Sequence, residues 1–463
     1  MPNYNKQHNS CMRRKPAVQV LNTGFATPSV TDAYLWLEKG APSAEKSSAA
    51  DLSQVAGGTL NQFHFTSDTP CLSTIVVRDP ETSLIVNQAK IELSGTGCSD
   101  FTSKGAAVLA YERGTVTLND CEITTRGATR CCTIATSGAT MTIRNCKLAS
   151  YGGPLPEDYV PVIGPGMMEP PYPLGLSGNC RTHLSMDNSE TFFYNCDIYA
   201  AAWAAVSSDA GGGYCYAEVN DSNILTEGNG YCGYADNGCH LAFFNCKMSS
   251  GNMAFIQDGD SSILVRNCDC SCGKIGMLIH GGMENDDDIG VIELHNTNLQ
   301  TKNQVMLCKS TNVDLYMEGC TLKSEDGIIL ESKITDDRMY FTRRTIGPQL
   351  YGVQATFENM DITGDFLMGD SERRNCLHFA NTTVTGTIAG NPQVWLHEGS
   401  KWLSTGSSIV TLMGDTELSA LDAGVAGGPM GMAMPNVIYA YAGEGCTLSG
   451  EYTLPSGGKL VML

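Results

Sequence analysis

The sequence sets ionisable side chains at matching positions of a repeat, an arrangement suited to moving protons. Thirteen residues after Asn245, Asn267, Asn296 and Glu318 stand Asp258, His280, Lys309 and Glu331. Each follows a short apolar run, such as Phe255-Ile256 or Met277-Leu278. Asp209 and Asp236 fall fourteen and sixteen residues after Asn195 and Asn220 and extend the series. If successive repeats stack as neighbouring strands, about 4.8 Å apart, these groups form a ladder. Carboxylates that close raise one another's pKa, so that one keeps its proton as a general acid. One-coil and two-coil separations also span those of retaining and inverting glycosidases. His280 beside Asp258 reads as a base near neutral pH. For Lys309 and Glu331 a weakly paired, solvated edge is the other reading.

A second group lies in GNCRTHLSMDNSE, WAAVSSDAGGGYCY and GYCGYADNG: Arg181, His183, Trp203, Asp209, Tyr231, Tyr234 and Asp236. Arg offers a planar fork for carboxylates or polarised oxygens. Tyr and Trp stack on sugar or aromatic rings. The catalytic candidates are therefore Asp236, Asp258, His280, Asp209 and Arg181. The substrate-binding candidates are His183, Trp203, Tyr231, Tyr234 and Lys309. An ion pair of Arg181 with Asp187 or Glu190, and core packing of Trp203, are the alternatives.

No metal or other cofactor is expected. The run Asp286-Asp287-Asp288 and the pair Asp258 and Asp260 lack EF-hand spacing and read as solvated acid better than as a Ca²⁺ site. Cys131-Cys132 and Cys268-x-Cys270-x-Cys272 lack a second cluster at zinc-ligand spacing. There is no phosphate-cradling loop, dinucleotide fingerprint or nucleophile elbow.

The elements that must carry these residues are short strands. TVTLNDCEITTRG, MTIRNCKLAS, TFFYNCDIYA, LAFFNCKMSSG, ILVRNCDCSCG and LHFANTTVTG share one plan. An alternating strand meets a polar turn residue, then a small residue, then a second short strand. The turn residues are Asn119, Asn145, Asn195, Asn220, Asn245, Asn267, Asn296, Glu318, Asn359 and Asn381, mostly 22–29 residues apart. That period specifies a solenoid, being too short for a propeller blade. Asn tolerates left-handed backbone, so stacked Asn side chains are expected to bond in a ladder. The following Cys or Thr is expected to point inward as a small buried row.

The expected fold is all-β: a single-stranded right-handed parallel β-helix with N- and C-terminal caps. Residues 1–84 read as an N-terminal segment and cap, 85–400 as the β-helix, and 401–463 as C-terminal coils and cap. A proline-rich insertion occupies 151–176, and the stretch Pro154 to Pro173 holds seven prolines.

The coil pattern over roughly residues 85–400 resembles the pectate-lyase-like superfamily of right-handed β-helices. That resemblance implies a substrate groove along one outer face in the members that are enzymes. The polygalacturonase and pectate-lyase signatures are not intact, so the resemblance carries the fold and no particular reaction.

The chain of 463 residues carries 49 acidic and 29 basic residues, a net charge of −20, which excludes a basic nucleic-acid footprint. No stretch reaches the roughly 18 apolar residues of a membrane span, and no signal-peptide pattern opens the sequence. A cytoplasmic location is expected, and the 20 cysteines then read as reduced, buried thiols. The expected function is acid/base catalysis, of lyase or isomerase type, on a small polyhydroxylated or cyclic substrate such as a sugar acid, oligosaccharide or phenolic. A glycoside hydrolase and a non-catalytic binding or structural β-helix are the alternatives. The expected partner is that small molecule, with no nucleic acid or membrane, and broad solenoid faces also suit a homo-oligomer.

Overall fold

The computed structural model describes residues 32–98, 100–102, 104–163, 166–209, 214–281, 288–335, 351–427 and 432–463. They form two compact units, the described residues up to 255 with 261–263, and the described residues of 256–260 with 264–463. Nearly every strand pairs in parallel with its counterpart in the next coil, as a parallel β-helix requires. Among the described residues no helix is long and apolar enough to cross a membrane.

In the first unit each coil contributes to three sheets, here A, B and C. Sheet A runs through Ala33–Glu38, Ser73–Arg78, Val108–Tyr111, Thr133–Ala135, Arg181–Ser185, Ala204–Ser208 and Tyr231–Ala235. Sheet B includes Thr115–Asn119, Thr140–Arg144 and Glu190–Tyr194, and sheet C includes Glu122–Arg126, Lys147–Ser150 and Asp197–Ala200. These strands of sheets B and C bury alternate residues, because their sequences alternate and one face meets solvent. The strands of sheet A from Val108–Tyr111 to Tyr231–Ala235 are buried on both faces. Their outer face begins as an apolar cluster that includes Trp36, Val76, Leu109, Ile134 and Leu184.

The expected turn device is present. Asn145, Asn195, Asn245, Asn267, Asn296, Asn359 and Asn381 all have positive φ, between 46° and 57°. Their amides bond between coils: Asn195 donates to Asn145 Oδ1 at 3.0 Å, and Asn381 to Asn359 Oδ1 at 2.8 Å. Three assigned turn residues are displaced by one. Asn119, Asn220 and Glu318 end their strands, and the left-handed residues are Asp120, Asp221 and Gly319. The interval from Asn145 to Asn195 is one coil plus the insertion, since Ile143 pairs with Phe193. The long interval after Glu318 is likewise one coil, since Leu315 pairs with Ala355.

Behind most of these left-handed residues a small side chain turns inward, whereas Asn359 is followed by the buried Met360. Cys121, Cys146, Cys196 and Cys246 are buried, and each thiol donates to the carbonyl two residues earlier at 3.1–3.3 Å. The expectation of wholly reduced thiols needs one correction: Cys71 and Cys98 form a disulfide. They lie on neighbouring turns that already share a Cys71 N–H to Thr96 carbonyl bond, which brings the two sulfurs together. Among the described residues seventeen other cysteines are free thiols, and of these Cys446 alone is not buried. Burial pushes the Cys132 thiol up to about 11, far from a reactive thiolate. Alkylation of the native protein should therefore label Cys446 first among the described free cysteines. Non-reducing peptide mapping should recover one bridged pair, Cys71–Cys98, and rapid labelling of Cys146 or Cys196 would contradict this packing.

The second unit repeats the plan with sheet-A-type strands Met277–His280, Met306–Lys309 and Ile328–Lys333. Its core holds a mutually packed trio, Phe357, Phe366 and Phe379, with centroids 5.4–5.5 Å apart.

Candidate functional site

In the first unit the outer face of sheet A changes character at the strand Ala204–Ser208. Leu184 pairs in register with Ser207, and Ser207 with Tyr234, so an apolar column becomes polar. Beside it Arg181 pairs in register with Ala204, and Ala204 with Tyr231. The small Ala204 between two long side chains lets the guanidinium and the phenol meet across one coil.

Arg181 is 3% exposed and holds two carboxylates at once. Nη2 lies 2.7 Å from Asp100 Oδ2, and Nη1 lies 2.8 Å from Asp209 Oδ2. Nη1 also reaches the Tyr231 hydroxyl at 3.5 Å, and that hydroxyl is 2.9 Å from Ser207 Oγ. The guanidinium carbon lies 4.5 Å from the Trp203 ring and 5.4 Å from the Phe101 ring. Both aromatics have left-handed backbone, with φ of 64° at Trp203 and 62° at Phe101. For bulky residues this costs on the order of 1–3 kcal/mol each, and such outliers gather at functional sites. Next to this group Tyr234 donates to Asp236 Oδ1 at 3.1 Å, with its ring 5.6 Å from that of Tyr231. Asp209 and Asp236 occupy equivalent positions, since their N–H groups donate to the carbonyls of Ser185 and Ser208 one coil back.

The cover comes from elsewhere in the chain. Asp100 and Phe101 stand two and three residues after the bridged Cys98. The Asp100 N–H donates to the Met167 carbonyl in the proline-rich segment, where Met167 and Met168 are buried. That segment is tied down again where Asn229 and Asn252 donate to the Gly175 carbonyl.

Burial sets the electrostatics. It raises the Asp100 carboxyl to about 6, against the attraction of Arg181 and with a further push from Asp209. Burial likewise pushes the Tyr231 phenol well above its ordinary value. A guanidinium between two ionised carboxylates leaves a buried net negative charge, which one proton on Asp100 removes. The group can therefore hold and release one proton near neutrality beside two donors suited to an anionic oxygen, Arg181 and Tyr231.

Arg181, Trp203, Asp209, Tyr231, Tyr234 and Asp236 are thus brought together. The Arg181 ion pair has partners other than those weighed from the sequence. Asp187 instead accepts from Ser137 and Asn188. His183 is placed elsewhere: it is fully buried inside the coil, with Nδ1 2.8 Å from Thr133 Oγ1 and Nε2 2.8 Å from Ser185 Oγ. Burial drops it to about 3, so it is neutral at physiological pH. Sequence reading missed Asp100, Phe101 and Ser207, whose contacts with Arg181 and Tyr231 no local spacing encodes.

The second unit holds its own pair. His280 Nδ1 lies 3.2 Å from Asp258 Oδ1, with both residues buried, and Gly259 N–H donates to the His280 carbonyl. His280 pairs in register with Lys309 as the ladder expects, but the next rung is Lys333. Glu331 pairs with Leu307 and accepts from Gln304 Nε2. Asp286 and Asp287 lie outside the described residues. Among the described residues no three His, Cys, Asp or Glu side chains gather as a metal site. No protein-family model matches the chain, and no curated protein matches it.

Proposed function

We infer that the chain is an acid/base enzyme of lyase or isomerase type, built on a β-helix of the pectate-lyase-like kind. Its substrate is a small polyhydroxylated or cyclic compound bearing a carboxylate or carbonyl oxygen. The observation that carries this reading is the Arg181 group, where two aromatics in left-handed backbone enclose a guanidinium shared by two carboxylates. In the proposed step Asp100 or Asp209 takes a proton from a carbon next to the carbonyl or carboxylate. Arg181 and Tyr231 hold the negative charge that develops on the oxygen. Return of the proton to another carbon gives an isomerase, and departure of a neighbouring oxygen gives a lyase. Entry is on the Phe101 side, since Phe101 is half-buried whereas Trp203 is fully buried.

A second reading is a purely structural clasp that pins the covering segments to sheet A, and the burial of Arg181 favours it. One experiment separates the two. The purified protein is incubated in D₂O with sugar acids, oligosaccharides and phenolics, and deuterium uptake and product are followed. The enzyme reading expects turnover that falls by about 10²-fold or more in Asp100→Asn and Tyr231→Phe, the size of a lost acid/base group. Tm should change little in these near-isosteric variants. Turnover that survives both substitutions would sink the assignment, and no turnover with a large loss of Tm would establish the clasp.

A further inference from the structure

The second unit carries a cavity of about 680 Å³ that the Arg181 group does not explain. Its walls include Trp395, His397, Glu398, Lys401, Asp415 and Glu417. The aromatic wall comes from the coil register: His378 pairs with Trp395 across sheet-B-type strands Cys376–Ala380 and Gln393–Leu396. Their rings stack 4.2 Å apart and within 9° of parallel. His397 lies nearly parallel to His378, and Nε2 of His397 is 3.3 Å from Nδ1 of His378. Burial drops His378 to about 4 and also lowers His397, so this wall is uncharged at neutral pH.

In the following coil the stack stops. The Met413 N–H donates to the Val394 carbonyl, which sets a thioether, Met413, against Trp395 and places Gly414 just beyond it at the ring edge. A Cβ there would lie 3.5 Å from Trp395 Cδ1, so the missing side chain leaves that edge of the indole facing the cavity. The lining also carries exposed carboxylates, Glu398, Asp415 and Glu417, with the single ammonium of Lys401. Carboxylates accept strongly from hydroxyls, and Lys donates.

The geometry points to a binding site for a neutral oligosaccharide in this cavity, with one sugar ring stacked on Trp395 and its hydroxyls held by Glu398, Asp415 and Glu417. The flat C–H face of a pyranose suits an indole whose other face is already covered. Three carboxylates against one ammonium select against sugar acids. The volume falls within the range of small-ligand sites, about 300–1,000 Å³. This site stands apart from the proposed acid/base reaction and does not depend on it.

The test is calorimetry and tryptophan fluorescence of the full chain with di- to tetrasaccharides of glucose, mannose, galactose and xylose. Matched oligomers of uronic acids form the second arm. At least one neutral series is expected to bind, with a Kd between about 10 µM and 1 mM. Trp395→Ala should weaken it about tenfold or more, as loss of a stacking aromatic does. Asp415→Asn and Glu417→Gln, at exposed positions that folding tolerates, should each weaken it severalfold. Asp100→Asn should leave it unchanged. No binding by any neutral series, tighter binding of the uronic acids, or unchanged affinity in both Asp415→Asn and Glu417→Gln would overturn the proposal.

Discussion

Replacing Arg181 with methionine is expected to destabilise the protein by about 3–5 kcal/mol at neutral pH, because it leaves buried carboxylates without their counter-charge. Methionine keeps much of the aliphatic volume between Trp203 and Phe101, so the loss is electrostatic more than steric. Its pH dependence is the distinguishing mark. In the wild type the Asp100 carboxyl is raised to about 6 in the folded state from an ordinary 3.8. The folded chain therefore binds that proton more tightly than the unfolded chain. This contribution is complete below about pH 4 and is lost as the pH rises through 6, a change on the order of 3 kcal/mol. In Arg181→Met nothing opposes the desolvation of Asp100 and Asp209. The Asp100 carboxyl moves further up, and the window over which stability declines extends to higher pH. Denaturant unfolding at half-unit steps from pH 4 to 8 should show the variant closest to wild type at the acid end and furthest from it near neutrality. A deficit under 1 kcal/mol at pH 7, or one independent of pH, would mean that the carboxylates are not confined as the contacts indicate.

The coils were legible in the sequence because their turns need a residue that tolerates left-handed backbone and, behind it, one small enough to face inward. Asn followed by Cys or Thr meets both needs at Asn145, Asn195 and Asn245. The errors fell where two residues could fill the role. Asn119 and Asn220 are each followed by an Asp that takes the left-handed position, and Glu318 is followed by Gly319. Counting from Glu318 therefore started one residue early, and this coil holds one further residue between Ser324 and Leu330, so the count reached Glu331 where the strand register sets Lys333 against Lys309.

The site was legible in part, for a different reason. Polar and aromatic residues interrupting apolar strands pointed to Arg181, Asp209, Tyr231 and Tyr234. Simple alternation then groups Arg181 with His183, which is wrong here because sheet A places two successive residues inward. Thr182 Oγ1 donates to the Tyr199 carbonyl across the coil interior, and His183 packs edge-on against Phe193. Arg181 is left on the outer face and His183 on the inner. Asp100 and Phe101 could not be found by counting at all. They reach Arg181 through a turn held by the Cys71–Cys98 bridge and the Met167 carbonyl, and contacts so distant in sequence leave no periodic trace.

A core substitution in the second unit should cost as much as the loss of Arg181 yet lack its pH signature. Phe379 is fully buried, stacked at 20° on Phe357 and edge-on to Phe366. Phe379→Ala removes the ring from both partners, an expected cost of about 3–5 kcal/mol, part of it the aromatic pairing itself. Coils contact only their neighbours, so the damage should be local. Hydrogen exchange should quicken most in Val353–Glu358, Cys376–Ala380 and Gln393–Leu396, the strands paired around the gap. No buried charge loses a partner, so the deficit should stay constant between about pH 5 and 8, above the range where buried His378 titrates. Phe379 also anchors the strand from which His378 reaches outward to Trp395. The variant should therefore loosen the aromatic wall of the oligosaccharide cavity and weaken binding there without any change to a lining residue. Phe379→Leu, which refills most of the volume, should recover the greater part of both stability and affinity. Recovery of stability without affinity would show that the inward ring does not control the outward wall.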